Sequence, residues 1–90
     1  MVRTVVLHRV TDYAAWREVY NGFADEQAHG GVRAQAVLQS CDDPNEVLVT
    51  HDFDDEAAAR AFFGWEGLKD AMAQGGVVGE PQLVWFGNVA

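Results

Sequence analysis

A short stretch occurs twice in the chain and constrains its fold more than any other feature. His8-Arg9-Val10-Thr11-Asp12-Tyr13-Ala14-Ala15 returns 43 residues later as His51-Asp52-Phe53-Asp54-Asp55-Glu56-Ala57-Ala58. Each copy closes an apolar, β-prone run, Val2 to Leu7 before the first and Val47 to Thr50 before the second, and each opens a helix-prone run. Both copies therefore read as strand-to-helix corners. A spacing of about half the chain is what a two-fold repeated fold requires.

Ninety residues make one domain, spanning 1–90. At that size the buried fraction is modest, so a partner surface adds stability. Apolar residues are 49% of the chain and charged residues 22%, which is globular rather than disordered composition. A net charge of −8, with six scattered Lys and Arg, argues against a nucleic-acid or anionic-membrane surface. The single cysteine, Cys41, makes no internal disulfide, which fits a reducing compartment. No apolar run approaches a membrane span, and the N-terminus enters a strand pattern without a signal peptide. The expectation is a cytoplasmic protein.

The first strand is Val2 to Val10, rich in β-branched residues. Thr11 or Asp12 can cap the helix that follows. Tyr13, Trp16, Tyr20, Phe23 and Gln27 recur at steps of three and four, which puts four aromatics on one helix face before Gly30-Gly31 stops it. Val32 to Ser40 alternates, with Ala34, Ala36 and Leu38 on one face and Gln35, Val37 and Gln39 on the other, and reads as an edge strand. The turn Asp42-Asp43-Pro44-Asn45 leads to a returning strand, Glu46 to Phe53. Asp54 is the expected N-cap of the second helix, with Ala58, Ala61, Phe62 and Trp65 on its inward face. Gly64 and Gly67 predict a break and a short second piece through Gln74. Gly75-Gly76 ends it, Gly79-Glu80-Pro81 is a loop, and Gln82 to Val89 is the last strand. The order β-α-β-β-α-β is the ferredoxin-like α+β pattern, a four-stranded antiparallel sheet with its helices on one face.

That architecture leaves one sheet face without helices, yet the inner strands are apolar on both sides: Val5 and Leu7 against Val6 and Val10, Trp85 against Phe86. An apolar sheet face in water marks an association surface. The expectation is a two-fold homodimer through the sheet faces.

Val10 and Phe53 precede the two caps, where a hydrophobic residue packs onto the helix. Strand alternation then turns Thr4, Val6 and His8 toward the helices, along with Val47, Val49 and His51. His8 and His51 become candidate catalytic groups, since an imidazole can act as a general base near neutral pH. Trp16, Tyr20, Phe62 and Trp65 become candidate ligand-binding residues, lining a pocket for a flat aromatic or apolar molecule. Each of these residues has a plain alternative as ordinary core, because aromatics at helical spacing usually are core. A void of roughly 300 Å3 with a histidine and Trp65 on its wall favours the pocket; closure by these rings favours the core reading. No metal site is expected: His8, His29 and His51 lack ligand spacing, and the acidic clusters read as turns, caps and solvated faces. Cys41 has no neighbouring cation in sequence to activate it, and no glycine-rich phosphate loop is present.

His8 to Tyr13 with Trp16, Asp43-Pro44-Asn45-Glu46-Val47, Ala57 to Phe62, and Lys69-Asp70-Ala71-Met72 together resemble the dimeric α+β barrel superfamily. The chain looks closest to its antibiotic-biosynthesis-monooxygenase-like members and to small bacterial proteins labelled cyclases. The resemblance implies a homodimer with one pocket per subunit between sheet and helices. Its members include cofactor-independent monooxygenases of aromatic polyketides, polyketide cyclases and haem-degrading enzymes. Met72 falls where the haem-degrading members carry their axial histidine, which argues against haem oxygenation. Gln82 to Val89 lacks the arginine that quinol-oxidising members place on the last strand. Trp65 falls near their pocket tryptophan.

Two readings follow. One is an enzyme without metal or organic cofactor acting on an aromatic or polyketide-like small molecule, in which the pocket binds the substrate anion or enolate, His51 or His8 takes a proton, and Trp16, Tyr20 and Trp65 hold the ring system. The other is a non-catalytic dimeric domain that binds a small ligand or regulates a partner.

Overall fold

The β-branched run Val2–Val10 forms strand β1 in a computed structural model that describes residues 1–88. Helix α1 (Tyr13–Gly22) follows, started by Asp12, whose carboxylate accepts from the Ala15 N–H at 3.0 Å. The aromatic row does not lie on one helix. The chain breaks at Phe23, and α2 (Ala24–His29) begins there without a side-chain cap. Strand β2 is Ala34–Gln39 and β3 is Glu46–Phe53. Helices α3 (Glu56–Phe63) and α4 (Glu66–Gln74) flank the expected break at Gly64, and β4 is Val77–Gly87.

The strands pair antiparallel in the order β2-β3-β1-β4, which confirms the ferredoxin-like α+β architecture. Strand β1 is central, so its Thr4, Val6, His8 and Val10 are buried. On β3 the buried residues are Val47, Val49, His51 and Phe53. Two apolar clusters fill the space beneath the helices. Val10, Trp16, Val47 and Val49 form one; Phe53, Ala59, Phe62 and Leu68 form the other. Burying a side chain of this size contributes roughly 1.5–3 kcal/mol each.

Three local expectations change. The N-cap of α3 is Asp55, which accepts from the Ala58 N–H at 2.8 Å, not Asp54. Asp54 instead pairs with Arg33 on the surface. The inward face of α3 is Ala59 and Phe62, while Ala61 and Trp65 point outward. Gly64 ends the helix and puts Trp65 in extended backbone (φ −80°, ψ 131°), so helical spacing from Ala58 does not carry across it. Gly79-Glu80-Pro81 is not a loop but part of β4. The β1–β4 register runs Leu7↔Gln82 and then Arg9↔Val78, a shift of two residues opposite His8. Gly79 absorbs it at φ +72°, a conformation that favours glycine. Val89, the expected end of the last strand, lies outside the described residues.

The sheet face away from the helices carries Val5, Leu7, Leu48, Val84 and Phe86, with Leu38 on the edge strand. Leu38 is 57% exposed and Phe86 55%. Trp85 lies on the other side, against Phe63 and under the Arg60 guanidinium.

Candidate functional site

Both corners of the repeat put an imidazole on the helix side of the sheet. His8 and His51 are 7% and 5% exposed, and the Nδ1 atom of each is buried without a hydrogen-bond partner. Unpaired polar atoms at such depth are uncommon and costly. The first corner is held from two sides. Val10 N–H donates to the Asn45 carbonyl, Thr11 N–H to the Gly76 carbonyl, and Tyr13 N–H to the Asn45 side chain at 2.9 Å. The turn residue Asn45 thus fixes where α1 starts, and α1 in turn fixes Trp16.

A cavity of about 50 Å3 lies between the sheet and the helices. Its wall includes His8, His51, Trp16 and Tyr20, four of the six residues expected there. The His8 ring meets the Trp16 ring edge-on at 5.5 Å, and Trp16 stacks on Tyr20 at 4.9 Å. His51 sits among Tyr20, Phe62 and Phe63 at 6.4, 5.7 and 5.8 Å. The Tyr20 hydroxyl donates to Gln35 on the edge strand at 2.6 Å, which anchors that ring at the rim.

The other two residues are placed differently. Phe62 is buried behind the wall in the second cluster. Trp65 is 45% exposed and outside the cavity, stacked on Phe23 at 5.8 Å. The wall also holds Gln27, Phe23, Phe63 and Met72, to which sequence reasoning gave no role in a pocket. One signal for Phe63 was present: it stands 43 residues after Tyr20, the spacing of the repeat.

Burial sets the protonation of both histidines. Desolvation lowers the pKa of His8. It pushes His51 down to about 4, against a smaller opposing pull from Asp52. Both imidazoles are therefore neutral at pH 7. Asp52 itself is held below the usual carboxylate range by Arg3, whose guanidinium donates to it at 2.7 and 2.9 Å. Among the described residues no lysine, arginine, aspartate or glutamate lines the cavity. The site can accept or donate single hydrogen bonds and hold rings, but it offers no fixed charge to a bound anion.

Among the described residues no group of three His, Cys, Asp or Glu is arranged to hold a metal ion. Cys41 is an exposed thiol. No helix among the described residues is long and apolar enough to cross a membrane.

No family model and no curated protein sequence matches the chain. Solved structures do. A protein described as an antibiotic biosynthesis monooxygenase from Nitrosomonas europaea is 20% identical, with 100% of each chain covered and a TM-score of 0.76. One described in the same way from Bordetella bronchiseptica is 12% identical, covering 99% of this chain and 97% of its own, with a TM-score of 0.83. SnoaB, a cofactor-independent oxygenase from Streptomyces nogalater, is 17% identical over 99% of this chain and 93% of its own, with a TM-score of 0.80. Over its full length, this chain has the ferredoxin-like α+β fold of structures described as antibiotic biosynthesis monooxygenases.

Proposed function

We propose that the chain is a cofactor-independent oxygenase- or cyclase-like protein that takes an aromatic, polyketide-like small molecule between sheet and helices. The observation that carries this reading is the pair of buried imidazoles, each with an unpaired Nδ1, on the wall of one aromatic-lined cavity. The likeness in fold to SnoaB supports it. His51 is the preferred base and His8 its neighbour. A neutral imidazole accepts a proton from an acidic ring CH2, and the imidazolium and enolate then stabilise each other in a site of low dielectric. The carbanion passes one electron to O2, the substrate radical and superoxide combine as a peroxide anion, and the imidazolium returns its proton to give the hydroperoxide. Loss of water leaves a carbonyl, so CH2 and O2 become C=O and H2O. In the cyclase variant the same carbanion attacks a carbonyl of the substrate.

Anthrone is a suitable probe, because deprotonating its CH2 yields an aromatic enolate. Oxygen uptake should be catalysed by the wild-type protein and fall by roughly 10²- to 10⁴-fold in His51→Ala, the usual range for a lost general base. His8→Ala tests the second imidazole. No catalysed uptake by the wild type would refute the enzyme reading, and folded variants with unchanged uptake would remove the histidines as its bases. Variants that only lose stability would return both histidines to the core.

One observation favours the alternative, a non-catalytic ligand-binding or regulatory domain. Pockets for drug-sized molecules hold roughly 300–1,000 Å3, and this cavity is about 50 Å3. Binding of a ring system therefore requires the helices or a wall residue to move.

The assembly proposed is a homodimer through the open sheet face, supported by the apolar residues Leu38, Val84 and Phe86 exposed there. Sedimentation at micromolar concentration should give a dimer, and Val84→Lys with Phe86→Lys should give monomers. A wild-type monomer would rule it out.

A further inference from the structure

The small inner cavity has a larger neighbour. A groove of about 370 Å3 opens between α1, α2 and α4, and Val19, Phe23 and Ala71 line both spaces. These three residues stand between the two spaces. Phe23 is the largest of the three, with its ring 6.4 Å from that of Phe62 at the edge of the second cluster. It stands at the break between α1 and α2, only half-buried, with no side-chain cap on the helix it begins. Its ring is held on the outer side by the stack on exposed Trp65, which lies flat over Gly67. A Cβ at position 67 would stand 2.4 Å from the Trp65 ring, so only glycine leaves room for that stack.

The two spaces differ in charge. The inner wall carries neutral groups alone, ending in the unpaired Nδ1 atoms of His8 and His51. The groove carries Glu26 and Asp70 and, among the described residues, no cation. Two carboxylates beside an apolar strip repel a carboxylate on an incoming ligand and attract an amine.

Resting on the reading above, we infer that groove and cavity are two halves of one site, divided by Phe23, and that its ligand is a ring-bearing molecule with a basic amine and no carboxylate. The ring displaces Phe23 and enters the inner space, where a buried Nδ1 meets its polar group. The amine stays in the groove with Glu26 and Asp70. The ligand thereby gains the room that the inner cavity lacks.

The test uses 1-naphthylmethylamine, 1-naphthylmethanol and 1-naphthylacetate at neutral pH, followed through the indole N–H resonances of Trp16, Trp65 and Trp85. The amine should shift both Trp16 and Trp65, and should bind about tenfold tighter than the carboxylate, the sum of several modest surface-charge effects. That preference should shrink in Glu26→Gln with Asp70→Asn. Phe23→Ala should tighten the amine by about tenfold or more, since the closed population no longer competes. Trp65→Ala, which alters an exposed residue, should act in the same direction if Phe23→Ala fails to fold. A carboxylate that binds as well as the amine, or an amine that shifts Trp65 alone, overturns the two-part site. The alcohol separates the two readings. If it reaches Trp16 without any advantage for the amine, only this inference falls. If no probe reaches Trp16, even in the Phe23→Ala and Trp65→Ala variants, the cavity is not a ligand site and both readings fall.

Discussion

The two halves of the molecule start alike and are filled differently. Asp12 and Asp55 stand 43 residues apart, and both cap a helix by accepting from the N–H three residues on. His8 and His51 occupy matching places on β1 and β3. The helix residue at the next matching place is Trp16 in the first half and Ala59 in the second. Both are buried, Ala59 with no exposure at all. An indole reaches sideways to His8 and Tyr20. A methyl group lets α3 approach the sheet, and Phe53 and Phe62 fill the space around it. The cavity consequently lies between the halves, walled by Trp16, Val19, Tyr20, Phe23 and Gln27 from the helices of the first and by Phe63, Leu68, Ala71 and Met72 from those of the second, with His8 and His51 beneath. A repeat fixes positions in space; side-chain size at those positions decides where room is left.

The strongest way to break this comparison is to remove the indole. Trp16→Ala should cost about 3–5 kcal/mol, the usual penalty for emptying a large aromatic site, read as a lower midpoint in urea. A loss below ~1 kcal/mol would mean that Trp16 is not a structural wall. Next comes pH. In the unfolded chain His51 titrates near 6.5, while in the folded chain its pKa lies at about 4. Between those values the unfolded state binds more protons, so stability present above pH 6.5 is lost as pH falls toward 4. The shift corresponds to about 3 kcal/mol. Urea unfolding at pH 7 and pH 4.5 should show that loss in the wild type and a much smaller one in His51→Gln. His8→Gln should reduce the loss by less, and equal effects would erase the distinction between the two histidines.

Ala59→Leu should cost about 1–3 kcal/mol by overpacking α3 against the sheet. Tolerance of the larger residue would show that the second half has slack. The caps should behave as a matched pair, with Asp12→Ala and Asp55→Ala each losing about 1 kcal/mol. Asp54→Ala, which removes only an exposed pairing with Arg33, should change the midpoint least. A larger loss from Asp54→Ala than from Asp55→Ala would move the second cap back to Asp54.

The sequence determined the element order, both corners, and the side of the sheet on which His8 and His51 lie. Those properties follow from short-range rules: alternation along a strand, a capping carboxylate before a helix, a glycine that ends one. The repeat even contained the second cap, since Asp12 maps onto Asp55. The tertiary structure alone decided the rest. Helical spacing put Phe62 and Trp65 on one inward face, but Gly64 turns the chain and leaves Trp65 in water against Phe23. Gly79 and Pro81 signalled a loop, yet pairing with central β1 keeps them in the sheet around a shifted register. Cavity volume was equally beyond sequence. It is a small difference between the space the backbone frames and the side chains that fill it, and depends on how side chains from four helices meet across the two halves.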